Sequence, residues 1–405
     1  MKNLKLVLSK FTFFLFLLLI PTQLGKHFWP DWASVQGVRV DYLSPTVYLL
    51  DIIFIFLLIL NFKIKIKNSW KFLILSLVFL LNLISAWNKW ETGYRWLKIM
   101  ELGWVFFYIK ENKEITKKFL RIIVPIWIVF ESILGLVQVV FGSSVNGIFY
   151  WFGERAMYLN TLGVAKWSIL GSEHLRAYGT FSHPNSMAGF MLVSVLLWIK
   201  SKPSPNPSLD PPSFFLKTTE GQAKGEVKNV FWWVVWWFGI MGIIICGSRT
   251  VWMVGLLILF YKLSKKSKFY LIGAPILAVI VFSKISLFSG WDPTSFKKRW
   301  DLTVSAVLMI KDSILLGVGA GNFLVRLPDY RTNSPIFWLQ PVHNIYLLLV
   351  SELGILGIMA LGWISEIKKI NYLPLIAILL TGLVDHYWVT LPQNMWLMVL
   401  VFGLI

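Results

Sequence analysis

Three polar stretches carry residue types able to act on an anionic substrate. The first is Arg176-Ala-Tyr-Gly-Thr-Phe-Ser-His-Pro-Asn185, where His183 and Asn185 follow a single cation, and the second is the turn Gly247-Ser-Arg249. The third runs from Ser295 to Glu352. It holds Lys297, Lys298 and Arg299, then Gly317-Val-Gly-Ala-Gly-Asn-Phe323, then Pro341-Val-His-Asn344, with His343 one of 5 histidines in the chain. Arginine binds phosphate-type oxygens in pairs through a planar fork and stays charged near a membrane. Histidine takes a proton near neutral pH, as an attacking hydroxyl requires. Fixed cations can also meet the charge that develops on an anionic leaving group.

The elements that must position these stretches are apolar. Hydrophobic residues make up 57% of the chain and charged residues 15%, and the mean hydropathy is +0.67. That composition excludes a wet-surfaced soluble domain and implies an all-α polytopic membrane protein. Runs long enough to cross a hydrocarbon core fall near 5–22, 44–62, 72–87, 95–109, 119–141, 183–200, 230–247, 250–263, 269–288, 343–363, 371–388 and 393–405. These amount to about twelve spans, the first a retained helix without a small-residue cleavage site. Lys63, Lys65, Lys67 and Lys71, then Lys110, Lys113, Lys117, Lys118 and Arg121, then Lys262, Lys265, Lys266 and Lys268, then Lys368 and Lys369 all fall on one side. The positive-inside rule makes that side cytoplasmic and puts both termini there. Ser201 to Asn229, with Pro203, Pro205, Pro207, Pro211 and Pro212, is then a cytoplasmic linker. Residues 26–43, 88–94, 142–182 and 247–249 and the long segment 289–342 face outward, and Ser305 is expected on the accessible surface of the last.

Chemistry outside the membrane cannot count on ATP or nucleotide sugars, so the substrate is expected to arrive already activated, on a lipid. No Gly-Lys-Ser/Thr phosphate loop is present, and the glycine cluster at 317–321 lacks the β-α-β context of a dinucleotide site, which leaves it a turn between short helices. The net charge of +19 reflects loops beside anionic lipid; no nucleic-acid-binding pattern accompanies it. The single cysteine, Cys246, lies in an apolar span and fixes no redox compartment.

Arg-x-x-Gly-Thr-Phe-x-His-Pro-Asn at 176–185, Ser248-Arg249 at a span boundary, Gly-Val-Gly-x-Gly-Asn-Phe at 317–323 and His-Asn-x-Tyr at 343–346 followed by Glu352-Leu-Gly354 resemble, in this order, the O-antigen ligase and O-antigen polymerase family of bacterial envelope glycosyltransferases. The resemblance covers roughly Arg176 to Ile358. It implies a fold like the C-type lipid-donor glycosyltransferases, in the cytoplasmic membrane with its site facing the periplasm. It further implies transfer of a glycan from undecaprenyl pyrophosphate to a hydroxyl on a glycan, lipid or protein, with no cofactor and no metal. No Asp-x-Asp occurs, and the outer acids Asp292, Asp301, Asp312 and Asp329 are scattered, which agrees with the expectation of no metal.

On that reading His343 is the general base and Arg249 the main clamp on the leaving pyrophosphate, with Arg176, Arg299 and Lys298 as further donor contacts. Each has a plainer use: Arg249 can snorkel to lipid phosphate, Lys297 to Arg299 can form a solvated face, and His343 can bond a neighbour at a helix N-terminus. His183 and Asn185 shape the turn opening the sixth span and are weaker substrate contacts, as is Asn344. Arg39 and Asp41 in the first outer loop, and Asp385 and His386 at the outer end of the eleventh span, could bind sugar hydroxyls, with Trp29 and Trp388 as stacking surfaces. Glu131 and Glu352, inside spans, read as ties between helices. A polysaccharide or anion transporter is the alternative, with Glu101, Glu131 and Glu352 lining a path, but the polar residues gather outside rather than at the midplane and no repeat relates the halves.

Overall fold

The computed structural model describes residues 2–61, 70–169, 171–200, 221–265, 293–331, 338–365 and 372–405. The expected linker as far as residue 220 lies outside them, as do the expected span 269–288 and positions 289–292 and 332–337 of the external segment. So do Lys63, Lys65, Lys67, Lys266, Lys268, Lys368 and Lys369. The described chain is mostly helical: α1 (Lys2–Leu18), α2 (Leu49–Leu60), α3 (Trp70–Ser85), α4 (Lys89–Glu111), α5 (Lys113–Phe141), α6 (Pro184–Lys200), α7 (Gly221–Ile245), α8 (Arg249–Ser264), α9 (Pro293–Asp312), α10 (Phe323–Tyr330), α11 (Ile345–Ser365), α12 (Leu373–Gly382), α13 (Tyr387–Thr390) and α14 (Pro392–Leu404). Short strands pair antiparallel outside the helices: β1 (Gly25–His27) with β4 (Thr46–Tyr48), β2 (Ser34–Val35) with β3 (Val38–Arg39), and β5 (Lys166–Ile169) with β6 (Ser172–Leu175).

Among the described residues two helices, 113–141 and 345–363, are long and apolar enough to cross a membrane, and six shorter ones are apolar. The expected span 371–388 is interrupted. Its helix ends at Gly382, where a Cβ would fall on Ile345, and Asp385 and His386 occupy an irregular stretch before α13 and Pro392. The expected external segment contains two helices, α9 and α10, joined by the glycine cluster.

Two units make up the chain: Met1–Phe13 with Leu24–Glu111 and Trp291–Ile405, and Phe14–Gln23 with Asn112–Gly290. In the first, the β2–β3 hairpin closes through Gln36 and Gly37, whose positive φ values of 50° and 78° match a two-residue hairpin turn. Ala33, Val35, Val40 and Leu43 around that hairpin share a core with Leu302, Ala306 and Met309 of α9 and with Phe323, Leu324 and Leu327 of α10. A second core joins Val78, Trp96, Ala320, Leu353 and Ala360.

The glycine cluster is locked onto a break in α11. Gly354 has φ 65° and ψ 179°, so the helical ladder stops there. The exposed backbone groups are taken up by the facing loop: Val318 N donates to Ser351 O (2.8 Å), Gly319 N to Glu352 O (3.1 Å) and Ile355 N to Ile314 O (2.9 Å). Irregular backbone inside a membrane protein requires such internal partners. Asn82 adds side-chain bonds to Leu316 O (2.7 Å) and Glu352 O (2.9 Å), and receives Ala320 N (3.0 Å). Glu352 accepts from Phe323 N at 3.3 Å, which ties the helix break to the start of α10.

In the second unit α5, α6 and α7 pack through small residues. A Cβ on Gly135 would meet Ala177 Cβ at 2.9 Å, and Gly239 and Gly242 face Val195 and Ser132 as closely. Ser132 Oγ donates to Phe238 O at 2.7 Å. Close backbone approach of this kind is how apolar helices associate in lipid.

Candidate functional site

In the second unit the structure brings the first two polar stretches together. Ala177 N donates to Ile245 O (3.1 Å), so the chain at Arg176 runs along the end of α7. Arg176 Nε donates to Cys246 O (2.7 Å) and its Nη2 to Asn185 Oδ1 (2.7 Å). Gly247, at φ 61°, leaves room for this guanidinium, since a Cβ there would meet Arg176 Nε at 3.2 Å and Trp167 Cε3 at 3.2 Å. Arg249 is the first residue of α8. A cation there opposes the helix dipole by about 0.3–1 kcal/mol, while the same N-terminus attracts anions through its free N–H groups. Arg249 and the end of α8 therefore favour the same kind of ligand. Trp252 Nε1 bonds Ile243 O at 2.9 Å across the turn.

The backbone of the first stretch is held from α5. Gln138 Oε1 accepts from Tyr178 N (3.1 Å) and Gly179 N (2.8 Å), and Glu131 accepts from Thr180 N (3.0 Å) and Thr180 Oγ1 (2.8 Å). Gly179, at φ 56°, sits where a Cβ would fall on the Glu131 carboxylate. Glu154 accepts from Gln138 Nε2 (2.8 Å) and Asn146 N (2.7 Å), extending the network into the loop after α5. His183 Nδ1 accepts from Asn185 N at 3.1 Å, a turn contact at the start of α6.

The first unit holds the other polar residues. His343, Asp385 and His386 each offer a ligand-type atom, all within 4.8 Å of one another. Asp385 and His386 are buried, at 8% and 6% exposure, and His343 is half-buried. The two imidazoles meet edge to face at 5.1 Å, and Tyr42 packs edge-on against His386 at 5.6 Å. His386 Nδ1 lies 2.8 Å from Thr390 Oγ1. Two histidines and a carboxylate form a donor set able to take a divalent ion, an arrangement that sequence spacing hid because α11 and α12 separate its members.

Several expected contacts are re-read by this geometry. Asn344 caps α11 by accepting from Tyr346 N and Leu347 N, both at 2.9 Å, and its Nδ2 donates to Leu383 O at 3.0 Å. Its carboxamide is thus used by the fold. Trp388 is not a stacking surface: it is 0% exposed, and its Nε1 donates to Thr381 Oγ1 at 2.8 Å. Ser305 is likewise not accessible, at 2% exposure. Trp29 is partly exposed with Arg39 5.7 Å from its ring centre, and Asp41 is exposed.

Neighbouring positions on a helix point about 100° apart, and Lys298 and Arg299 part company accordingly. Lys298 Nζ lies 3.7 Å from the centre of the Trp338 ring, while Arg299 is within electrostatic range of His386. Lys298, Asp301, Ser305, Arg331, Trp338 and Gln340 line a small open pocket. Burial lowers the Arg331 guanidinium from its ordinary value.

The sequence reading passed over Arg95. Its Nε bonds Glu91 Oε1 (2.6 Å), its Nη2 donates to Tyr42 O, and it faces Glu352 electrostatically. An arginine at the head of an apolar run is itself a signal.

Residues 234–362 match the family model described as O-antigen ligase, Wzy_C. This segment is similar to the O-antigen ligase family. It contains Arg249, Lys298, Arg299, the glycine cluster, His343 and Glu352-Leu-Gly354, so the resemblance drawn from those motifs holds. Arg176 to Asn185 and Asp385-His386 lie outside the match. The family is membrane-embedded, in keeping with the apolar helices. Comparison with curated proteins yields no match.

Proposed function

We propose that this protein is a glycosyltransferase of the O-antigen ligase or polymerase type, moving a glycan from undecaprenyl pyrophosphate to a hydroxyl acceptor at the outer face of the cytoplasmic membrane. The observation that carries the reading is His343, inside the family segment, set against buried Asp385 and His386 at the head of α11. A base in that setting is oriented by its neighbours rather than left to solvent.

The chemistry divides between two groups of side chains. His343 takes the proton of the acceptor hydroxyl as its oxygen bonds to the anomeric carbon and the bond from that carbon to the pyrophosphate oxygen breaks. Arg249, with Arg176 braced on Asn185, meets the charge left on the lipid pyrophosphate. Arg299 and Lys298 are further donor contacts, and Arg39 and Asp41 offer sugar contacts beside Trp29. With these fixed cations the transfer runs without a metal. About twelve spans with both termini cytoplasmic put α9, α10 and the segment 289–342 outside.

Purified protein in liposomes separates this reading from transport. With a lipid-pyrophosphate-linked glycan and an acceptor on the same face, glycan transfer with release of lipid pyrophosphate supports the enzyme; glycan flux across the bilayer without transfer overturns it.

A further inference from the structure

We infer that His343, Asp385 and His386 form a binding site for a divalent transition-metal ion such as Zn²⁺, and that occupancy of the site withdraws His343 from proton transfer. One ligand-type atom from each residue lies within 4.8 Å of the other two. Two imidazole nitrogens and one carboxylate oxygen suit zinc, which takes three protein ligands and leaves a fourth position open; magnesium and calcium favour oxygen alone. Zinc bonds of about 2.0 Å draw tetrahedral donors to roughly 3.3 Å apart. Binding therefore requires the three side chains to close from the 4.8 Å limit.

The contact of His386 with Thr390 is a second observation. Thr390 Oγ1 donates its only proton to the His386 carbonyl at 3.0 Å. The same hydroxyl lies 2.8 Å from His386 Nδ1, so a metal on Nε2 selects the tautomer whose Nδ1 proton is donated to Thr390 Oγ1. A neutral ring with its proton on Nδ1 carries its lone pair on Nε2, ready to ligate. Donation from the far ring nitrogen to an oxygen is the arrangement that orients metal-bound histidines. Asp385 is oriented as well, by His386 N donating to its Oδ1 at 2.9 Å.

Arg299 lies within electrostatic range of His386, and its charge opposes a dication there. The ion is thus a reversible occupant rather than a resident cofactor. Zinc and the acceptor proton compete for His343, so zinc inhibits. This inhibitory half rests on the function proposed above, whereas the binding half does not.

The test is equilibrium dialysis of Zn²⁺ against untagged full-length protein in detergent, with Co²⁺ substitution read by its visible spectrum. We expect one tight Zn²⁺ per chain, tetrahedral Co²⁺ bands, and loss of both in His386→Ala and Asp385→Asn. Thr390→Val leaves the ligands in place and weakens affinity about 10- to 100-fold, so it decides the matter should the ligand variants fail to fold. Absence of binding by wild type, or His386→Ala binding as tightly as wild type, overturns the site. Tight binding with transfer unaffected by Zn²⁺ overturns the inhibition alone. Binding in a protein that transfers no glycan leaves the site standing and sinks the proposed function instead.

Discussion

Arg249 distinguishes a phosphate clamp from a lipid anchor. An anchor needs only a charge that reaches lipid phosphate, so it tolerates Arg249→Lys. A clamp needs the rigid fork, and loss of a donor at developing charge costs about 10²–10³ in rate. We expect that loss in turnover at saturating donor, with expression unchanged; turnover within about threefold of wild type demotes Arg249 to an anchor. This residue was legible in the sequence because Gly247-Ser-Arg249 interrupts an apolar run locally. The bracing of Arg176 on Cys246 O and Asn185 was not, because it joins chain segments that only folding brings together. Likewise His343 announced itself beside Asn344, yet its partners Asp385 and His386 lie beyond two helices. The capping role of Asn344 was not legible either, because a residue type suited to binding sugar is equally suited to capping a helix.

Among the elements, the lock between the glycine cluster and the break in α11 fixes where His343 stands relative to α9 and α10. A Cβ on Gly354 would fall on Leu315 O and come within 2.6 Å of Gly317 N, at a φ of 65°. Strained backbone and overpacking each cost about 1–3 kcal/mol, so Gly354→Ala should lower the melting temperature sharply and abolish activity. Gly103→Ala in α4, where a Cβ meets nothing within 4 Å, is the matched control and should be neutral or stabilising. Equal melting temperatures for the two variants contradict the lock. From sequence the cluster read only as a turn between short helices. That turn exists between α9 and α10, but its docking onto Glu352-Leu-Gly354 depends on Asn82, more than two hundred residues away in the chain. Apolar composition alone could not register that the helix of the expected eleventh span ends at Gly382, before buried Asp385 and His386.

At the scale of the whole molecule, the alternation of basic loops argues that 289–342 is external. Ser305 cannot report on this, being buried, but Lys311 at the end of α9 is exposed. Cysteine at Lys311 should react with an impermeant thiol reagent in intact cells, with buried Cys246 as the silent background; labelling only after permeabilisation reverses the topology. Composition was sufficient to read a helical membrane protein because 57% hydrophobic residues cannot cover a soluble domain. The external segment expected to be helical holds the helix α9, Pro293–Asp312, with Lys297-Lys-Arg299 in its first half.

The central claim, metal-free transfer from a lipid pyrophosphate with His343 as base, is tested most directly by lipid-pyrophosphate release from purified protein given donor and acceptor in EDTA. Wild type should release product undiminished by EDTA, and folded His343→Ala should be slower by about 10²–10⁴. Release abolished by EDTA and restored by Mg²⁺ or Mn²⁺, or near wild-type turnover by His343→Ala, would contradict the account.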